Sequence, residues 1–208
     1  MTPLDTRLPP SIQDFWRSLH SEVVWLHGRW ILYKQLFGTS PERIDILNAA
    51  APTFFNIQQT IMLNDVQLSI SKFGDPARTG TRTNLTLSVH IESFKVSCDK
   101  IRHRRNKWIA HFDLNSMLQK QVVPLPGPSR EEIERALEQL RAAMNSIATY
   151  YGLSQTLYEH FSMAADGEFL VSTLRKGIRY QQLVKEGVIG RDDMRKNFAL
   201  KTTKTEEA

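Results

Sequence analysis

The sequence predicts an all-α protein, a bundle of about five long helices. Three observations predict it. Apolar residues recur at alternating steps of three and four in stretch after stretch, the spacing of one helix face. No stretch of any length alternates with period two; residues 66–71 come closest, and they continue a helical pattern. Proline, glycine and capping residues fall between the periodic stretches, where helices must begin and end.

The first helix carries Ile12, Trp16, Leu19, Val23, Leu26, Trp30, Tyr33 and Phe37 on one face. Ser11 suits its N-cap and Gly38 its C-terminal stop. Thr39-Ser40-Pro41-Glu42 opens the second helix with a cap, a proline at the first helical position and an acid in the first turn. That helix carries Ile44, Leu47, Phe54, Phe55, Ile61 and Leu68. Pro52 lies inside it and should kink it or split it in two, because proline offers no N–H and its ring crowds the preceding turn.

Gly74-Asp75-Pro76 is a stop, and residues 74–83 read as a loop. Asn84 suits the N-cap of a helix that runs into the stripe Ile91, Phe94, Cys98, Ile101, and on to Trp108 and Phe112. The pattern fades near Gln121. Val122-Val123-Pro124-Leu125-Pro126-Gly127-Pro128 is a stiff connector. Ser129 with Glu132 forms a capping box. It opens a helix with Ile133, Leu137, Leu140, Met144, Ile147 and Tyr151 on one face, stopped by Gly152. A last helix begins near Asp166 and carries Phe169, Leu170, Leu174, Ile178 and Leu183. Its outer face is basic, with Arg175, Lys176, Arg179 and Lys185. The expected organisation is a motif-bearing core over 1–125, further helices of the same bundle over 126–189, and a polar, loosely ordered tail over 190–208.

The chain has 208 residues, 41% of them apolar, which suits a globular protein with a core of ordinary size. Its one cysteine, Cys98, falls on an apolar stripe and reads as a small core residue. A single cysteine excludes an intramolecular disulfide framework and any zinc site built on several thiolates. The first ten residues have no apolar signal core, and the most apolar stretch, 23–37, is broken by His27, Gly28, Arg29 and Lys34. No membrane span and a cytoplasmic location are therefore expected.

The formal charge of +5 is unevenly spread. Residues 95–111 hold Lys95, Lys100, Arg102, Arg104, Arg105 and Lys107 against Asp99 alone, so this run carries the whole excess. A concentrated basic patch suits a polyanion such as RNA or DNA; a solvated helix face with its counter-charges on neighbouring helices explains it equally well.

The most telling stretch is Arg105-Asn106-Lys107-Trp108-Ile109-Ala110-His111-Phe112-Asp113. The alternation through Ile101 and Trp108 puts position 105 on the face that should meet the core. An arginine there is costly unless paired or put to use. His111 lies six residues on and belongs to the residue type that titrates near neutrality. Six steps of 100° place the two about 120° apart on a straight helix, so they converge only across a kink or a shared cleft. The structural alternatives are an Arg105 paired with an acid such as Asp75, a solvated His111, and an Asp113 that is an ordinary surface acid. The four tryptophans read as core more readily than as base-stacking platforms. His20, His27, His90 and His160 lack metal-ligand spacing, so no metal and no cofactor is expected.

The string Arg-Asn-Lys-x-x-Ala-His-x-Asp, late in a long helix of an all-α bundle, resembles the HEPN superfamily (higher eukaryotes and prokaryotes nucleotide-binding). The abortive-infection U-type branch is the most similar. Tyr33-Lys34-Gln35-Leu36-Phe37, Phe54-Phe55, Lys72-Phe73-Gly74-Asp75-Pro76 and Asn84-Leu85-Thr86-Leu87 follow that branch in order, with Lys72 where its pattern has arginine. The resemblance covers about residues 15–115. It implies a HEPN-like helical fold and, in active members, a metal-independent endoribonuclease working as a homodimer, in a toxin or phage-defence role. Arg105, Asn106 and His111 are then the candidate catalytic residues, with Lys107 and Asp113 in support and Lys100, Arg102 and Arg104 on RNA. An antitoxin or other regulatory protein is a further expected partner. The alternative is a catalytically silent HEPN-like module that binds nucleotide, RNA or a protein; a third reading is an antitoxin-like or purely structural dimer.

Overall fold

The computed structural model describes residues 7–74, 88–106 and 127–190. Among them stand six α-helices and no strand. The central helix is α1 (Pro10–Phe37). It begins one residue before the expected Ser11 cap, with Pro10 at its first position, where the fixed φ of proline suits a helix start. The middle of α1 is buried on several sides at Val23, Leu26, His27, Gly28 and Trp30. It ends at Gly38, whose φ of −119° is not left-handed. What glycine supplies there is room: the Arg130 guanidinium lies against the Cα and donates to the Gly38 carbonyl.

Pro52 splits the second apolar run, as expected, into α2 (Pro41–Ala50) and α3 (Pro52–Gly74). The count thus rises past five because a proline divides one helix. Next come α4 (Ser88–Arg104), α5 (Arg130–Tyr150), a single 3₁₀ turn at Tyr158–His160, and α6 (Gly167–Lys185). The capping box is complete: Glu132 N donates to Ser129 Oγ at 3.2 Å, and Ser129 N donates to Glu132 Oε2 at 2.6 Å. Gly152 stops α5 with a φ of +67°, a conformation that glycine adopts at little cost. Asp166 caps α6 by accepting from Phe169 N. Gln35 of α1 also reaches that start, donating to Asp166 at 2.7 Å and accepting from Gly167 N at 3.0 Å.

The main core joins four helices. Leu26 and Trp30 of α1, Val66 and Ile70 of α3, Phe94, Cys98 and Ile101 of α4, and Ile133, Leu137 and Met144 of α5 pack together with Tyr158. A second cluster, Leu36, Leu47, Phe55 and Val171, ties α2 and α6 to the end of α1 and the start of α3. Two stripes turn out rotated. On α3, Phe55 faces in while Phe54 and Ile61 face out. On α6, Val171 is buried and Phe169 and Leu170 are exposed. Both helices carry apolar residues on more than one face, so spacing alone admits two registers, and the packing partner selects one. Of the tryptophans, Trp30 is core, Trp16 is half-buried and Trp25 is exposed; Trp108 lies outside the described residues, as do Asn84, Leu85, Thr86 and Leu87.

His27 gives the core a pH dependence. Its Nδ1 donates to Val23 O at 2.9 Å, and its ring lies 5.4 Å from that of Tyr158. Burial pushes its pKa below the ordinary value, with Arg141 acting in the same direction and the Val23 carbonyl and Glu159 opposing. Burial lowers that of His20 as well. A depressed folded-state pKa stabilises the fold fully above about pH 6.5, and this contribution is lost as pH falls through the folded-state value. The melting temperature should therefore decline as pH drops from 7.5 towards 5. His27→Gln should flatten that slope, as thermal melts across this range would show; an unchanged slope would remove His27 as its source.

Candidate functional site

Helix α4 sets the site by burying one face. Phe94, Cys98 and Ile101 meet α3 and α5 in the core, which leaves Lys95, Asp99, Lys100 and His103 on the solvent side. Cys98 is the inert core residue expected: burial pushes its thiol up to about 12, so it carries no thiolate near neutrality.

The basic run meets several of its counter-charges within the chain. Lys95 pairs with Glu92 at 2.7 Å, one turn back on α4. Lys100 reaches Glu132 of α5 at 2.7 Å. Arg102 lies 3.7 Å from Asp99. Arg104 extends over Gly127, where a side chain would overlap its guanidinium. The end of α4 and the start of α5 are thus drawn together, by a cation on one and by the lack of a side chain on the other. Two of the three cations expected on RNA, Lys100 and Arg102, therefore have an acid within reach. Sequence reasoning found Glu132 as a capping residue and missed its second partner. The Lys100 hydrogen bond is the main cause that holds the Glu132 carboxyl below its ordinary range. Nothing in the local pattern signals a pair 32 residues apart in sequence.

Arg105 comes one turn after buried Ile101, as the stripe demands, yet it is only half-buried. It lies past the last residue of α4, where the backbone opens into a wider π-type turn over 105–106. Its Nε and Nη2 donate to Asn106 Oδ1 at 2.9 Å and 2.6 Å. One amide oxygen thus accepts from both donors on one edge of the guanidinium. Turns of this type interrupt regular α-helices and recur at functional sites. The 100° step of an α-helix does not carry across such a turn. Lys107, His111 and Asp113 lie outside the described residues, as does Asp75, the acid considered for Arg105. The structure therefore brings Arg105 and Asn106 together, beside Arg104 and one turn from Lys100 and Arg102.

Among the described residues, no group of three or more His, Cys, Asp or Glu is placed to hold a metal ion. No described helix is long and apolar enough to cross a membrane. The shallow pocket bounded by Phe37, Ile44, Asp45 and Arg130, about 490 Å³, lies at the start of α2 and shares no residue with the Arg105 cluster.

A family model of HEPN proteins, described as AbiU2, matches residues 10–166. The matched span takes in α1 to α5 and ends on the residue that caps α6. Comparison with curated proteins and with solved structures gave no match.

Proposed function

Because the chain belongs to the AbiU2 family of HEPN proteins, we propose that it is a metal-independent endoribonuclease with a toxin or phage-defence role, acting in the cytoplasm as a homodimer. The observation that carries this reading is the Arg105–Asn106 pair at the opened end of α4, inside the family-matched span. Arg105 supplies two charge-assisted donors for the scissile phosphate and offsets charge as the pentacovalent state forms. Asn106 orients it. His111 takes the 2′-OH proton or returns one to the leaving oxygen. The 2′-oxygen attacks phosphorus, the bond to the 5′-oxygen breaks, and the products are a 2′,3′-cyclic phosphate and a 5′-hydroxyl. Lys107 and Asp113 support the pair, Lys100, Arg102 and Arg104 hold the RNA backbone, and a two-fold axis near α4 brings two copies of the motif to one cleft. An antitoxin or regulatory protein is the proposed neutralising partner.

Cleavage should persist in EDTA, leave 2′,3′-cyclic phosphate ends and spare a substrate lacking the 2′-OH. The rate should bend in the histidine range of pH and fall as salt rises. End-group analysis of a cleaved oligoribonucleotide tests this directly. Activity that dies in EDTA and returns with magnesium contradicts the mechanism, and so does equal cutting of DNA.

A second reading, a catalytically silent module that binds nucleotide, RNA or a protein, is favoured by the pairing of Lys100 with Glu132 and of Arg102 with Asp99. Each pair draws a cation towards the protein's own acid. RNA binding without cleavage under any condition would establish this reading in place of the first.

A further inference from the structure

The basic outer face of α6 has no part in the ribonuclease reading. This helix lies beyond the family-matched span, which ends at Asp166. Residues 169–185 hold Arg175, Lys176, Arg179 and Lys185 and no acid. Only Gly167 and Val171 of α6 are buried. Val171 sits in the second core cluster, and Leu174 packs against that cluster. The opposite side is open. Arg175 and Lys176 stand four and three residues before Arg179, so each is its neighbour on the helix surface. Lys176 is exposed and meets no acid among the described residues. Arg179 is 59% exposed, with Glu186 at 3.6 Å. Arg175 alone holds an acid closely, Glu42 at 2.9 Å.

The contacts that fix α6 also set where this face lies. Its start is tied to the end of α1 through Gln35, and to the first turn of α2 through Arg43–Glu168 and Arg175–Glu42. The same end of α1 holds the start of α5: Lys34 reaches Glu134 at 2.7 Å, and Arg130 donates to the Gly38 carbonyl. The start of α5 in turn holds the end of α4 through Lys100–Glu132. The α6 cations therefore lie at the same end of the bundle as Arg104 and Arg105, with exposed Arg130 between them. Neighbouring helices pack about 8–10 Å apart, so three such steps separate the two groups by roughly 30 Å. We propose that the outer face of α6 is a second RNA contact, an anchor for the phosphate backbone of a strand whose scissile bond lies at Arg105. The proposal rests on the ribonuclease reading and adds where the rest of the substrate runs. Lys and Arg grip phosphate without reading bases, so the anchor serves strands of any sequence. A lipid surface fits less well. An amphipathic helix enters a membrane interface by its apolar face, and that of α6 already lies against α1 and α2.

The test is binding of a fluorescent single-stranded RNA, long enough to reach from Arg105 to Arg179, by the full chain over a range of salt. Lys176→Ala/Arg179→Ala removes two cations and leaves the Arg175–Glu42 pair that docks the helix. At about 0.1 M salt it should weaken binding roughly ten-fold, and the slope of log K against log salt should flatten by about 1.4, at about 0.7 for each lost phosphate contact. Arg17→Glu, on the exposed first half of α1, changes the net charge by the same amount and should weaken binding less than two-fold. Both variants should melt like wild type, because none of the three side chains is buried. Anionic phospholipid vesicles are the second probe, and wild type should not sediment with them. Wild-type RNA binding by the double variant overturns the anchor and leaves the ribonuclease reading standing. An equal loss in Arg17→Glu overturns it too, since net charge then explains the effect. Vesicle binding that the double variant loses, with RNA binding unchanged, gives the face to a membrane. A loss of RNA binding in a protein that cuts no RNA upholds the anchor and rejects the ribonuclease.

Discussion

Arg105→Ala is expected to lower RNA cleavage by roughly 10²–10³-fold, the usual loss when a donor to developing phosphate charge is removed. His111→Ala is expected to cost about 10²–10⁴-fold through loss of proton transfer. The fold should survive Arg105→Ala. Arg105 is half-buried just past the end of α4, and its guanidinium donates to the neighbouring Asn106 amide. Asn106→Ala should weaken cleavage less than Arg105→Ala, because it frees the guanidinium without removing it. Single-turnover cleavage and thermal melts of the three variants separate the roles. Wild-type cleavage by Arg105→Ala or His111→Ala would remove that residue from the mechanism. Unfolding of Arg105→Ala would mean that the arginine serves the structure.

Ile101→Ala is expected to have the opposite signature, a stability loss of about 2–5 kcal/mol from the deleted side chain and the cavity it leaves. Ile101 has no exposed surface, belongs to the main core cluster and stands one turn before Arg105. Any loss of cleavage should therefore accompany loss of fold. Urea denaturation should show the midpoint moving while the slope holds. A change under 1 kcal/mol would mean that the end of α4 is not anchored through this residue, and that Arg105 is positioned by something else.

The contrast between these two positions shows what spacing reveals. The stripe Phe94, Cys98, Ile101 was legible because helix geometry ties side-chain direction to sequence interval, and all three are buried. Arg105 was legible as the member of that stripe whose chemistry did not fit. The same rule named Phe54, Ile61, Phe169 and Leu170 as inward residues, and the structure turns all four outward. Nothing local distinguishes two apolar faces of one helix; the choice follows from how much surface the neighbouring helices offer. The charge run shows the same limit. Six cations were countable, but Glu132 as the partner of Lys100 was not, because that pair depends on α5 lying beside α4.

By itself, the sequence determined the helical class, a break at Pro52, the Ser129–Glu132 capping box, the Gly152 stop and the start of the last helix near Asp166. Each depends on a few adjacent residues and on backbone geometry that acts within one or two turns. It also pointed to the family, through motifs in order from Tyr33 to Asp113, and the family model matches residues 10–166. Only the tertiary structure decided that Arg105 leaves the core face through a π-type turn and rests on Asn106, that Lys100 is held by Glu132, and that α3 keeps an uncharged apolar row in solvent. The last two depend on which helix faces lie against one another, which is set by the summed packing of distant segments; the first follows from how the backbone opens at the end of α4, a turn that apolar spacing does not encode.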